Sequence, residues 1–218
     1  VDERVLIPRS PIAELIEQRF APYCLDENGQ MLEALNNLPE NAKPKTPHRI
    51  LDMCTGSGCI AVALAYAYPD AEIDATDISK EALEVASINT EHHNKQYQVA
   101  LLESDLFAKI PAENQYDLIV SNPPYVKEDE KNAMHKNVLA YEPHRALFVS
   151  NENPLIFYNA IADFAIKNLK PNGLLFFEIN EYLGKETVAL LDYKGFINIE
   201  LHKDMQGKDR MIKASLLN

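Results

Sequence analysis

Residues 49–58 have the sequence RILDMCTGSG, and this stretch decides the fold of the chain. Its first half, residues 49–53, is a short apolar segment typical of a buried strand. Its second half places two of only seven glycines in 218 residues two positions apart, Gly56 and Gly58. A glycine turn between a strand and a helix lets the backbone approach a ligand and leaves free N–H groups at the start of the helix. The stretch therefore predicts the first strand, turn and helix of a nucleotide-binding α/β domain.

Apolar periodicity continues this pattern along the chain. Ser10-Pro11 followed by an apolar stripe to Phe20 indicates a helix, and the polar, proline-bearing residues 26–49 indicate a surface insertion with a short helix near 31–38. Beyond the glycine turn we predict helices at 59–68, 79–92, 154–169 and 184–193, strands at 72–76, 98–102, 117–121 and 173–179, and a closing hairpin of residues 198–203 and 211–216. Strands that alternate with helices imply right-handed crossovers. The prediction is one α/β domain, residues 1–218, with a doubly wound, mostly parallel seven-stranded sheet that ends in an antiparallel hairpin.

An acidic residue lies where a bound nucleotide would present its ribose. Asp77 follows Gly58 by nineteen residues and ends the second strand, where a carboxylate accepts both ribose hydroxyls. The alternatives are a helix-entry turn without a ligand, and an Asp77 that only caps the next helix. Gly56-x-Gly58-x-x-Ala61 also matches the dinucleotide fingerprint, so a nicotinamide-dependent dehydrogenase is a rival interpretation. Asp52 opposes it, because a carboxylate there would repel a pyrophosphate but attract the ammonium group of an amino-acid tail. A ligand with ribose, adenine and such a tail is S-adenosylmethionine.

A second motif follows the fourth predicted strand. The apolar run of residues 116–121 is followed by Asn122-Pro123-Pro124-Tyr125. Two consecutive prolines fix two φ angles and remove two backbone donors, so the turn is stiff and its carbonyls stay free. Together with the Asn122 side-chain oxygen, these carbonyls can accept hydrogen bonds from a planar NH2 group, which an enzyme that alkylates an amide or an aromatic amine requires. An ordinary proline stop after a strand is the alternative.

Composition restricts the classes of partner and the compartment. A formal net charge of −12 disfavours binding to duplex phosphates. Three cysteines without a disulfide framework indicate reduced thiols and a cytoplasmic protein. The scattered histidines and the spacing of Cys54 and Cys59 predict no metal site. We expect neither a membrane span nor an export signal, and a first residue that is Val suggests that upstream residues are missing.

With these residues assembled, the chain resembles the HemK/PrmC and PrmB family of protein-(glutamine-N5) methyltransferases, which are class I S-adenosylmethionine-dependent enzymes with a Rossmann-like fold. The resemblance covers nearly all of residues 2–216. It is carried by Val5-Leu6-Ile7-Pro8-Arg9, the turn of residues 52–58, Asp77, Ser104-Asp105-Leu106-Phe107, Asn122-Pro123-Pro124-Tyr125, and Glu142-Pro143 with Ala146-Leu147.

The resemblance implies a role for each site residue. It predicts a cofactor site formed by Asp52, Cys54, Thr55, Gly56, Ser57, Gly58, Asp77, Ile78, Asp105, Leu106 and Asn122. Within it, residues 54–58 would line the methionine end, Asp77 would hold the ribose, and Asp105 and Leu106 would border the adenine. The catalytic group would be Asn122, which binds the substrate amide, the carbonyls of Pro123 and Pro124, and Tyr125, which packs on the amide plane. Simpler interpretations are a strand-end cap at Asp105 and core packing at Leu106 and Tyr125. Arg9 and Glu142 would frame the mouth of the site or form a structural ion pair.

The resemblance also bears on the substrate. Cys54 replaces the usual first glycine of the cofactor turn, so this position must tolerate a β-carbon. Residues 9–12 and 52–55 resemble PrmB, whose substrate is a large-subunit ribosomal protein, whereas residues 141–143 and 207–211 resemble PrmC, which modifies peptide chain release factors. A natural or constructed mosaic would explain this difference. We also expect that the family's N-terminal helical domain, which helps to recognise the substrate protein, is absent.

The resulting expectation is methyl transfer to a glutamine side-chain amide of a release factor or a large-subunit ribosomal protein, without direct binding of nucleic acid. The alternatives are a DNA or RNA adenine amino-methyltransferase, which would use the same turn on a flipped base, and a catalytically impaired domain that only binds S-adenosylmethionine.

Overall fold

The structure is a computed structural model that describes residues 1–17 and 47–216. The helix residue Phe20 and most of the predicted insertion, including its short helix, lie outside this part of the chain. The α-helices of the described residues are α1 (Ile12–Glu17), α2 (Cys59–Ala67), α3 (Lys80–His92), α4 (Lys136–Tyr141), α5 (Ile156–Asn168) and α6 (Gly184–Tyr193). The strands are β1 (Arg49–Met53), β2 (Glu72–Asp77), β3 (Val99–Glu103), β4 (Tyr116–Ser121), β5 (Val126–Lys127), β6 (Phe148–Val149), β7 (Leu169–Glu178), β8 (Phe196–Lys203) and β9 (Asp209–Leu216).

Seven strands form one mixed sheet in the order β3-β2-β1-β4-β7-β9-β8. The pairs from β3 to β7 are parallel, and β9 is antiparallel to both β7 and β8. The predicted fold class, a doubly wound sheet with a closing hairpin, is therefore confirmed. The order reverses between β1 and β4, and open α/β sheets bind their ligands outside the carboxyl ends of the strands at such a reversal.

The region between β4 and α5 carries structure that the sequence analysis did not predict. β5 and β6 form a separate two-stranded parallel sheet, and 3-10 turns at Glu128–Ala133 and His144–Ala146 flank α4. These pieces are only two to six residues long, too short for apolar periodicity to indicate them. One boundary also differs: β7 begins at Leu169, where we predicted the end of the preceding helix, because this residue pairs with Tyr116 of β4.

The core lies on both faces of the sheet because side chains alternate along each strand. On one face, Ile50, Leu118 and Phe176 pack against α1 and α2. On the other face, Leu51 and Phe177 are in the cluster that contains the buried residues of α5. All six residues of β4 are buried, as expected for a central parallel strand.

The register of the parallel strands aligns their carboxyl ends at one edge. Met53 pairs with both Thr76 and Ser121, and Asp77 pairs with Glu103. The segments after β1, β2, β3 and β4 therefore leave the sheet side by side, and these segments contain the predicted site residues. No helix of the described residues has the length and apolar character that crossing a bilayer requires.

Candidate active site

The glycine turn after β1 is held by its neighbours in a fixed conformation. The Thr55 amide donates to the Thr76 carbonyl at 2.9 Å, and the Asn89 side chain of α3 donates to the Ser57 carbonyl at 2.7 Å. Gly58 has φ +77°, and a β-carbon there would lie 3.0 Å from the Ala86 β-carbon of α3. Glycine is thus required both by the left-handed backbone and by the close approach of α3.

Gly56 also has φ +55°, but no atom lies within 4 Å of the place where its β-carbon would be. The space in front of this residue is open, which suits a ligand that approaches the backbone. Cys54, at the position usually taken by glycine, has φ +60°, so the turn accommodates a β-carbon in a left-handed conformation that costs roughly 1–2 kcal/mol. Burial raises the pKa of the Cys54 thiol, which keeps it neutral.

Asp52 differs from the expectation. Its side chain is fully buried, and it is absent from the wall of the cavity described below. The Thr55 hydroxyl donates to Asp52 Oδ2 at 2.6 Å, whereas Oδ1 has no hydrogen-bond partner among the described residues. Burial raises the pKa of Asp52 to about 7, against the opposing effects of Thr55 and of the Ala61 amide. The carboxyl therefore lies beneath the turn and supports Thr55, which does line the cavity.

Asp77 lies at the tip of β2 and faces the same turn. Its Oδ2 accepts from the Gly56 amide and its Oδ1 from the Ser79 amide, both at 2.9 Å. Burial raises the pKa of Asp77, and these two amides and the nearby positive charge of Arg145 oppose the rise. Each carboxylate oxygen keeps a further lone pair, so Asp77 can still accept hydrogen bonds from the two hydroxyls of a ribose.

A cavity of 590 Å³ extends along the carboxyl ends of the strands. The predicted residues that line it are Cys54, Thr55, Gly56, Ser57, Asp77, Ile78, Asp105, Leu106, Asn122 and Pro124. Asp52 and Gly58 do not line it, because the first lies under the turn and the second faces α3. The wall residues that the sequence reasoning did not assign to the site include residues 4–8 of the N-terminal segment, and Pro143, Arg145 and Ala146 after α4. The early Val5-to-Arg9 motif was the signal that could have indicated the first part.

A second cavity of 460 Å³ adjoins the first, and its wall includes Pro123 and Tyr125. Arg9, Ala146 and Asn122 line both cavities. The Asn122 side chain is partly exposed and forms no hydrogen bond with a described residue. The Asn122-to-Tyr125 turn thus lies at the boundary between the first and the second cavity.

Arg9 and Glu142 form a bidentate ion pair at the boundary between the two cavities. The guanidinium donates to the two Glu142 oxygens at 2.6 and 2.9 Å, and the Glu142 side chain is 3% exposed. The ion-pair interpretation therefore applies to both residues, whereas only Arg9 also lines the cavities and Glu142 lines neither. Among the described residues, no group of three or more His, Cys, Asp or Glu is arranged to hold a metal ion.

Known proteins resemble this chain over nearly its whole length. Residues 18–148 match the family model of the methyltransferase small domain. The release factor glutamine methyltransferase of Flavobacterium psychrophilum is 44% identical over 99% of this chain and 69% of its own length. That of Bacteroides thetaiotaomicron is 40% identical over 97% of this chain and 68% of its own length.

The chain belongs to the release factor glutamine methyltransferase family. Single members of this family align with 97–99% of the chain, so one family covers both of its halves. The family that the sequence motifs indicated is therefore confirmed. The cofactor of this class of enzyme is S-adenosylmethionine.

Solved structures show the same fold at low identity. The catalytic domain of hMettl16 in complex with an RNA hairpin has a TM-score of 0.67 at 14% identity and covers 100% of this chain and 75% of that domain. The ribosomal protein L11 methylase of Lactobacillus delbrueckii has a TM-score of 0.56 at 22% identity, covering 82% of this chain and 74% of that one. Such similarities establish the class I methyltransferase fold.

The residues present fit S-adenosylmethionine. The first cavity lies within the 300–1,000 Å³ range typical of small-molecule sites. It offers an open backbone at Gly56, a carboxylate at Asp77 for the ribose, and the apolar side chains of Ile78 and Leu106 beside it.

Proposed function

We propose that this protein transfers a methyl group from S-adenosylmethionine to the side-chain amide nitrogen of a glutamine in a peptide chain release factor. The observation that carries the proposal is the position of Asn122, which borders both cavities. A donor in the first cavity and an amide in the second would meet at this residue.

The cofactor side of the site is built for positioning. In the proposal, residues 54–57 hold the methionine end through the backbone of the turn, and Asp77 accepts hydrogen bonds from the ribose. Ile78, Asp105 and Leu106 border the adenine. Asp52 contributes through Thr55, to which it is hydrogen-bonded at 2.6 Å. When bound, S-adenosylmethionine supplies an electrophilic methyl group on its sulfonium centre.

The acceptor side is built to hold a primary amide. An amide nitrogen is a weak nucleophile because its lone pair is delocalised into the carbonyl. The Asn122 side-chain oxygen and the Pro123 and Pro124 carbonyls accept the N–H groups of the substrate, which fixes the nitrogen and favours the positive charge that develops on it. Tyr125 packs against the amide plane. The alkylated amide then loses its proton to water, so no side chain needs to act as a strong base.

The choice of a release factor follows from the names of the relatives. Proteins that are 38–44% identical over nearly the whole chain are named release factor glutamine methyltransferases. The ribosomal protein considered above remains a competing substrate. The net charge of −12 argues against nucleic acid.

The test is a methyl-transfer assay with radiolabelled S-adenosylmethionine on a release factor, a ribosomal protein and an adenine-containing DNA side by side. We expect label on the release factor only. Asn122→Ala should largely retain cofactor binding in calorimetry, because the main role of Asn122 is to hold the amide, although it also borders the cofactor cavity. Turnover should fall by a factor of roughly 100 to 1,000, the cost of losing one positioned polar group in such a site.

Two results would contradict this proposal. Label on the DNA but not on the release factor, or on the ribosomal protein but not on the release factor, would show that the substrate is of another class. Turnover in Asn122→Ala equal to that of the wild type would remove the role given to this residue.

A further inference from the structure

Glu178 is a buried carboxylate at the end of β7 that the reaction described above does not use. Its side chain is 4% exposed, and its two oxygens face different partners. Oε1 accepts from the Tyr125 hydroxyl at 2.8 Å and from Arg210 Nη2 at 2.9 Å. Oε2 accepts from the Ser10 hydroxyl, next to Arg9.

Arg210, on β9, closes this network. Its Nη2 also donates to the Tyr125 hydroxyl at 2.6 Å, and its guanidinium lies 5.2 Å from the centre of the Tyr125 ring. The Tyr125 hydroxyl is thus both a donor and an acceptor in a closed triangle with one anion and one cation. This network favours one orientation of the ring, because any other leaves the Tyr125 hydroxyl without both its donor and its acceptor, while Glu178 and Arg210 remain paired with each other.

The backbone of the same residue is held from the same side. Asn180, two residues beyond Glu178, donates to the Tyr125 carbonyl at 3.1 Å and to Glu130 at 3.0 Å. The Asn122-to-Tyr125 turn is therefore fixed at its last residue through both the ring and the main chain, while its first residue, Asn122, is left free to meet a ligand.

We propose that Glu178 and Arg210 are positioning residues for methyl transfer. They hold the Tyr125 ring and the Asn122-to-Tyr125 turn, here called the acceptor turn, in the orientation that receives the substrate amide. The proposal rests on the proposed function and adds residues that act through Tyr125. Both side chains line the second cavity, so they also lie where an acceptor enters. Neither lines the cofactor cavity.

The test uses Tyr125→Phe, Glu178→Gln and the double variant in the full chain, with kcat and KM for the release factor and the Kd for S-adenosylmethionine. We expect each single variant to lower kcat by on the order of 10- to 100-fold, since small misplacements of reacting groups have effects of this size. The cofactor Kd should not change. The double variant should be no slower than the slower single variant, because both changes break the same triangle.

Asp117→Asn is the matched control. Asp117 is also a buried carboxylate, 4% exposed, and it accepts from Lys170 at 2.9 Å, but it lies in β4 at the end far from the acceptor turn. This variant should lower the melting temperature and leave kcat unchanged. If Glu178→Gln does not fold, Tyr125→Phe alone decides, because it removes a single hydroxyl.

Additive effects, or a kcat for Tyr125→Phe equal to that of the wild type, would overturn the inference. So would an equal loss of kcat in Asp117→Asn. A wild-type protein that transfers no methyl to the release factor would refute the proposed function instead. In that event the rate of hydrogen exchange at the Val126 amide tests whether the network orders the acceptor turn. This amide directly follows Tyr125 and donates to the Leu147 carbonyl at 2.9 Å. Faster exchange in Glu178→Gln supports it, and unchanged exchange overturns it.

Discussion

Replacing Gly56 with alanine tests whether the first cavity holds the cofactor against the backbone of the glycine turn. Gly56 has φ +55°, and its added β-carbon would have no protein atom within 4 Å. Gly195, after α6, has φ +87° and equally open surroundings, so it is a matched control. It is absent from the walls of both cavities.

The two substitutions should cost the same stability. A left-handed alanine costs roughly 1–2 kcal/mol. Alanine also lowers the conformational entropy of the unfolded chain relative to glycine, which offsets about 0.4–1 kcal/mol of this loss in stability. A net loss of about 1 kcal/mol corresponds to a decrease in melting temperature of roughly 2–4 °C for a chain of this size.

Cofactor affinity should separate the two variants. In Gly56→Ala the new methyl group would occupy space that the ligand needs, and forcing a methyl group into a packed site costs roughly 1–3 kcal/mol. Calorimetry with S-adenosylmethionine should therefore show binding weaker by about 5- to 150-fold. Gly195→Ala should bind as the wild type does. Equal affinity in all three proteins would refute the placement of the ligand against this turn.

Further predictions concern the residues around the turn. Gly58→Ala should destabilise the fold by roughly 1–3 kcal/mol more than Gly56→Ala, because its β-carbon would meet Ala86 at 3.0 Å; urea midpoints measure this, and equal midpoints would contradict it. The pKa of Asp52, about 7 in the folded protein, exceeds the ordinary value near 4, so the folded state holds a proton that the unfolded chain has released between these pH values. Stability from this group is therefore fully present below pH 4 and is lost as the pH rises through 7, by a total on the order of 4 kcal/mol. Asp52→Asn should flatten this dependence in urea titrations from pH 4 to 8, and parallel curves would show that Asp52 ionises normally.

The parts of the fold that the sequence predicted are those fixed by local pattern. Residues 116–121 form a continuous apolar run, and they are the fully buried β4 of the sheet. A helix was predicted to begin at Ser79, and α3 begins at Lys80 with Ser79 as its N-cap, whose hydroxyl accepts from the Ala82 amide at 3.1 Å. The closing hairpin that was predicted for residues 198–203 and 211–216 is the antiparallel pair of β8 and β9.

The network around Tyr125 could not be predicted in this way. Glu178 and Arg210 are 53 and 85 residues away from Tyr125 in sequence. They meet it only because β9 inserts between β7 and β8, which brings Arg210 next to the end of β7. Neither residue stands in a motif that marks its partner, so the contact depends on the register of non-local strands.

Asp52 shows that the direction of a side chain at the end of a strand could not be predicted from the sequence. The sequence places it at the end of β1, next to the glycine turn, but strand position alone does not tell whether a side chain points to the cavity or beneath the turn. The structure places it beneath, where Thr55 covers it. Its support of the site is therefore indirect.

The most direct test of the central claim is mass spectrometry of a release factor after incubation with this protein and S-adenosylmethionine. We predict one added methyl group, located by fragmentation on the side-chain amide nitrogen of a glutamine, and its loss when Asn122 is replaced by alanine. An unmodified release factor, or a methyl group on any other atom of it, would contradict the account of Asn122 as the meeting point of donor and amide.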